Sequence, residues 1–222
     1  EEDYGILWKY SVPAAGQSTV TRSRRLVVSS IATIGNYVYG FFWYFYLDGS
    51  MEFEMKATGV LNTVAGEPGV PDKFATEVAP GVFGQIHQHV FCCRLDMAVD
   101  GDDNSVVECN THAVPAGDDN PYGNAFYQEE TILKTEKAAA RNISPQHQRF
   151  WKFVNPNKTN YMGQAVAYKL EPSHCVTPFM APGSPSGKRA AFTYNHLWVT
   201  DFDPEERYPA GEYMNHSDGT DG

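Results

Sequence analysis

The sequence lacks any apolar run long enough to cross a bilayer, and no charged-then-apolar leader opens it. No membrane partner is therefore expected. Cysteine is sparse: Cys92, Cys93, Cys109 and Cys175 are too few to staple a chain of 222 residues. On a strand, Cys92 and Cys93 would face opposite sides and could not easily serve one metal, so the cysteines read as buried thiols. Basic charge is short as well. There are 17 Lys and Arg against 27 Asp and Glu, a net charge of −10, and such a surface repels phosphate backbones, which excludes nucleic acid as a partner. Helical patterning is almost missing, with Glu136–Arg141 the only stretch that suggests a short turn of helix. No repeat and no break in composition divides the chain, so residues 1–222 read as one domain. The first residue is Glu1 rather than Met, as expected of a processed, cut or incompletely represented chain.

What is present is apolar, aromatic and punctuated by turns. Hydrophobic residues make up 42% and aromatics 14%, which excludes general disorder. Residues 1–22 read as irregular, with a first strand at about Ser23–Ile31. The all-aromatic run Phe41–Tyr46 is too bulky for a solvated face. Asp48-Gly49 predicts a hairpin, and Met51, Phe53 and Met55 alternate with Glu52, Glu54 and Lys56 on the return strand. Residues 58–84, rich in Gly and Pro, read as loop. Further strands are expected at Ile86–Val99, Ser105–His112, Phe126–Leu133, Arg149–Val154, Gln164–Leu170 and Ala190–Phe202. Asp100–Asn104 forms an acidic turn, but Ser105 and Thr111 stand where a calcium-binding EF-hand loop needs Gly and Glu, so a solvated hairpin is expected. Many strands joined by Gly/Pro turns imply an all-β fold, a large antiparallel β-sandwich.

Two short motifs carry chemistry. Thr33–Gly40 places Asn36 and Tyr37 between two strands; a tyrosine there is ordinarily a core residue. Gln85–His89 contains a His-x-His pair. If this segment is a strand, His87 and His89 project from one face, as two imidazoles must to share a metal ion; two surface histidines remain the alternative. Three Asn-x-Ser/Thr triplets begin at Asn142, Asn157 and Asn215, which permit secretion without showing it.

Together the motifs resemble the copper amine oxidases, topaquinone-dependent primary-amine oxidases in which an Asn-Tyr-Asp/Glu-Tyr motif supplies the cofactor tyrosine. The similarity extends through Glu1–Lys9, Phe42–Gly49, Arg94–Met97, Gly123–Phe126, Val166–Leu170 and Leu197–Thr200. The resemblance implies that Tyr37 is the topaquinone precursor, that Asn36 helps orient its ring, and that His87 and His89 are two of three copper ligands. It also implies that Asp96 and the backbone of Met97 form part of a second, calcium-type site. The implied reaction is oxidation of a primary amine by dioxygen to an aldehyde, with release of ammonia and hydrogen peroxide. A homodimer is implied too, and an acidic surface would weakly attract a cationic amine. Compartment stays open: cytoplasm, peroxisome and secretion are all compatible.

The pattern departs from the family in three places. Val38 stands where the motif has Asp or Glu. The family's catalytic base lies upstream of the segment matching Glu1–Asp3. Its third copper histidine lies downstream of the segment matching Tyr208–Gly222, and His216 matches a non-ligand. These departures leave a second expectation open, a shortened, non-catalytic β-sandwich acting in binding or assembly. A cupin-like metal protein is a third, for which the sequence offers no convincing Glu and His pair.

Overall fold

A computed structural model describes residues 1–173 and 175–205. Among these residues it has eleven strands, every pairing antiparallel, one five-residue α-helix and four 3-10 turns. The all-β class expected from the sequence is the class observed. The chain divides into two compact units, Glu1–His87 and the part that begins at Gln88.

In the first unit, β1 (Glu2–Val12), β2 (Gln17–Ile34), β3 (Tyr37–Tyr46) and β4 (Met51–Gly59) form a meander in the order β1-β2-β3-β4. Residues 1–22 are thus not irregular. Pro13 and Gly16 are the turn of a hairpin, with Gly16 at φ 63°. Cross-strand ion pairs fasten it: Asp3 with Arg22, Glu1 with Arg24 and Glu2 with Arg25. Tyr44 is the best-buried side chain of this sheet, 2% exposed. Its ring lies 3.6 Å from the Arg25 guanidinium, and its hydroxyl donates to Glu54 at 2.6 Å. That bond draws Glu54 partly out of solvent, so the alternation on β4 is blurred.

Residues 58–84 are not merely loop. β5 (Thr63–Ala65), β6 (Ala75–Ala79) and β7 (Val82–Gln85) make a small sheet in the order β5-β7-β6 over buried Phe83. Pro68, Gly69, Pro80 and Gly81 lie in its turns while Gly84 lies within β7, and Glu77 ties two turns by accepting from the amides of Gly69 and Gly81.

The second unit contains β8 (Ser105–Ala113), β9 (Phe126–Ile132), β10 (Phe150–Thr159) and β11 (Ala165–Leu170), ordered β11-β10-β8-β9. Val99, Val106, Trp151 and Phe153 form its core, with Trp151 fully buried. The strand expected at Ala190–Phe202 does not form. α1 (Pro185–Arg189) and a 3-10 turn, Ala191–Tyr194, occupy that region instead. Side chains satisfy the backbone locally there: Thr193 donates to the Ala190 carbonyl, Tyr194 to Met180 and Trp198 to Phe192. Of the cysteines only Cys109 is buried; Cys92 and Cys93 are exposed, off any strand, and Cys175 is half-buried. No helix of the described residues is long and apolar enough to cross a membrane.

Candidate functional site

The site starts from a hairpin turn. Ile34 pairs with Tyr37, so Gly35 and Asn36 alone connect β2 to β3. Gly35 adopts φ 63° while Asn36 does not have a positive φ, as in a two-residue loop that needs glycine at its first position. The Asn36 carbonyl accepts from the Val60 amide at 2.7 Å, and its side-chain amide donates to Asn62 at 3.4 Å. Tyr37 opens β3, paired with Ile34 on one side and Gly59 on the other. Strand alternation puts Tyr37 and Tyr39 on one face, their ring centres 6.1 Å apart, and Val38 on the opposite face. A charge missing at position 38 is therefore missing from the far side of the sheet.

The Tyr37 hydroxyl lies 3.1 Å from Nε2 of His87, with ring centres 5.8 Å apart. The other imidazole nitrogen, Nδ1, lies 2.8 Å from the Gln85 carbonyl oxygen. A carbonyl can only accept, so Nδ1 carries the proton and Nε2 keeps its lone pair, accepting from the Tyr37 hydroxyl. An oriented neutral imidazole with its lone pair toward a phenol is a donor set that suits a transition-metal ion beside that ring. In this respect the residues fit copper.

The expected strand Ile86–Val99 is not there. β7 ends at Gln85, whose carbonyl is taken by the His87 ring, and residues 86–98 belong to no ladder. His87 and His89 thus do not share the face of a strand. His87 closes the first unit, while His89 is exposed in the second. Asp96 is exposed, and the Met97 carbonyl accepts from the Asn104 side chain at 3.2 Å. Asn104 also accepts from the Val99 amide, so the acidic turn at Asp100–Gly101 is closed by one amide side chain and leads into β8 rather than joining two strands. Among the described residues no group of three or more His, Cys, Asp and Glu side chains could hold a metal ion. His112 and His147 lie 5.3 Å apart, ring to ring, and burial lowers the His196 pKa. His174, His216 and the triplet at Asn215 lie outside the described residues.

A family model described as copper amine oxidase, enzyme domain, matches residues 1–222. The chain belongs to the copper amine oxidase family. Among its relatives, a histamine oxidase from Arthrobacter globiformis is 48% identical over 222 residues, which cover 99% of this chain and 32% of that protein. A peroxisomal copper-containing diamine oxidase from Nicotiana tabacum is 43% identical over 219 residues, 97% of this chain and 28% of that one. In structure the chain is similar to a copper-containing benzylamine oxidase from Hansenula polymorpha, with a TM-score of 0.87, 32% identity, and coverage of 98% of this chain and 34% of the other. The chain thus spans about a third of the length of the curated copper amine oxidases it matches.

Two contributors to this candidate site are not evident from residue type. One is the Gln85 carbonyl, whose role depends on a ring two residues away. The other is Gly59, which reads as a loop glycine until the β3–β4 register sets it opposite Tyr37.

Proposed function

We propose that this chain carries the cofactor tyrosine and part of the copper site of a primary-amine oxidase, which converts primary amines and dioxygen to aldehydes, ammonia and hydrogen peroxide. The observation that carries the reading is the hydrogen bond from the Tyr37 hydroxyl to Nε2 of His87. His87 and His89 would hold copper, and Tyr37 would be the side chain converted to topaquinone. When bound, copper supports oxidation of the tyrosine ring by dioxygen, and the quinone so formed serves as the electron sink for the amine.

The chain's own residues supply positioning. Gly35 and Asn36 fix the entry of β3 and hence the root of Tyr37. The Gln85 carbonyl holds the His87 proton on Nδ1 and leaves the Nε2 lone pair facing the Tyr37 hydroxyl. Tyr39 packs beside the Tyr37 ring and limits its swing. Asp96 and the Met97 carbonyl would offer oxygen ligands to a calcium-type ion. A homodimer is the assembly the family resemblance supports.

Val38 favours a second reading, a β-fold that binds or assembles without amine turnover. The two readings separate at His87. In the intact natural protein, His87→Ala is expected to weaken copper binding by more than about 100-fold and to leave Tyr37 unmodified. Calorimetry with copper alone and mass analysis of the Tyr37 peptide measure both. Unchanged copper affinity with a modified Tyr37 would overturn the assignment of His87.

A further inference from the structure

We infer that Gly59 is a positioning residue for Tyr37, its missing side chain setting where the tyrosine hydroxyl points. The inference rests on the reading of Tyr37 as the modified side chain. Gly59 is the last residue of β4 and pairs directly with Tyr37. Its φ is 111°, outside the range that L side chains adopt without strain. A Cβ added there would fall 2.6 Å from the Asn36 carbonyl oxygen, 2.7 Å from the Val38 nitrogen and 2.8 Å from the Tyr37 Cα.

All three neighbours are backbone atoms of the cofactor motif, so no rotamer change relieves the overlap. The chain itself must move, and Asn36–Val38 are the residues it would move. A second contact holds the same spot: the residue after Gly59 donates its amide to the Asn36 carbonyl at 2.7 Å. Residues 59 and 60 therefore grip the turn from one side, one by contact and one by hydrogen bond. The hydroxyl sits at the far end of the tyrosine, so a shift at Cα is carried to the 3.1 Å contact with His87. Oxidation of a ring held beside a metal depends steeply on that placement, and an error of about 1 Å can cost 100-fold.

Gly49 provides the matched control. It lies in the turn at the other end of the β3–β4 hairpin, has φ 84°, and a Cβ there meets nothing within 4 Å. Gly49→Ala thus carries the backbone strain without touching Tyr37.

The test uses the intact natural protein, prepared copper-free, then given copper under air, with conversion of the Tyr37 peptide followed by mass over time. Wild type and Gly49→Ala are expected to convert at the same rate, and Gly59→Ala about 100-fold more slowly at unchanged copper content. Conversion of Gly59→Ala at the wild-type rate overturns the inference and leaves the reading of Tyr37 intact. Equal slowing in both variants also overturns it, since the effect would then belong to the hairpin. An unmodified Tyr37 in wild type overturns that reading and the inference with it. Should Gly59→Ala fail to fold, hydrogen exchange in the unaltered protein still decides. A Val60 amide as protected as those of β3 supports the grip, and one exchanging like open loop overturns it.

Discussion

On the proposed function, Tyr37→Phe is expected to abolish amine turnover and quinone absorbance while the protein keeps its fold. The side chain is half-buried at the start of β3, and phenylalanine fills the same space beside Tyr39. What is lost is one hydroxyl and its bond to His87, a stabilisation of about 1 kcal/mol. The proposed chemistry would be lost altogether, because a ring without the phenol oxygen is not activated for oxidation beside a metal ion. Peroxide release on addition of a primary amine, set against a melting curve of the same sample, checks both halves. Turnover that survives in the variant would remove Tyr37 from the mechanism. A collapse of the fold would mean that the tyrosine is chiefly a packing residue.

Glu108→Ala is expected to destabilise the second unit by about 3 kcal/mol, a sizeable part of the 5–15 kcal/mol typical of a folded domain. Glu108 is 2% exposed in β8 and is the meeting point of a charged network. Its carboxylate accepts from Arg141 twice at 2.7 Å, from the Trp151 indole at 3.2 Å and from Asn110 at 3.1 Å, with Arg149 at 3.2 Å. Removing it leaves the Arg141 guanidinium and a buried indole N–H without their acceptor, and takes the counter-charge from Arg149, which still donates to Asn110 and to the Asn142 carbonyl. Burial by itself would raise the Glu108 pKa, but the bonds from Arg141 and Asn110 and the charges of Arg149 and Arg141 more than offset it, leaving the carboxyl below its usual value. A carboxyl lowered by folding contributes stability that is full above its unfolded pKa and fades as pH falls through the folded one. The acid side of the stability curve should therefore flatten in Glu108→Ala, and Glu108→Gln should lie between variant and wild type. Urea unfolding at several acidic pH values reads this out. A change below about 0.5 kcal/mol would show that the network contributes little.

Parts of this structure are plain in the residues and parts are not. The β3–β4 hairpin is legible because Asp48-Gly49 carries the turn and Met51, Phe53 and Met55 carry the alternation. β1 is hidden because Gly5 and two register shifts, between Asp3 and Ile6 and between Ile6 and Trp8, break its period; what holds it is the set of ion pairs with β2, which depends on register. Ala190–Phe202 misleads in the other direction, since its apolar residues pack around side-chain bonds to nearby carbonyls and not along a ladder. At the site, Tyr37 and His87 stand out through the motifs they belong to. The strand inferred for His87 and His89 does not, because the Gln85 carbonyl that would continue β7 turns to the imidazole. Gly59 is invisible before pairing is known, for its meaning is entirely a matter of which residue lies opposite.

On the proposed function, Tyr37 is oxidised in place by dioxygen beside a copper ion held at His87. The most direct measurement is the mass of the peptide containing Tyr37, taken from copper-loaded, aerated intact protein. The expected change is the gain of two oxygens and the loss of two hydrogens of topaquinone formation, dependent on both copper and air. An unmodified tyrosine in that peptide, with copper bound, would contradict it.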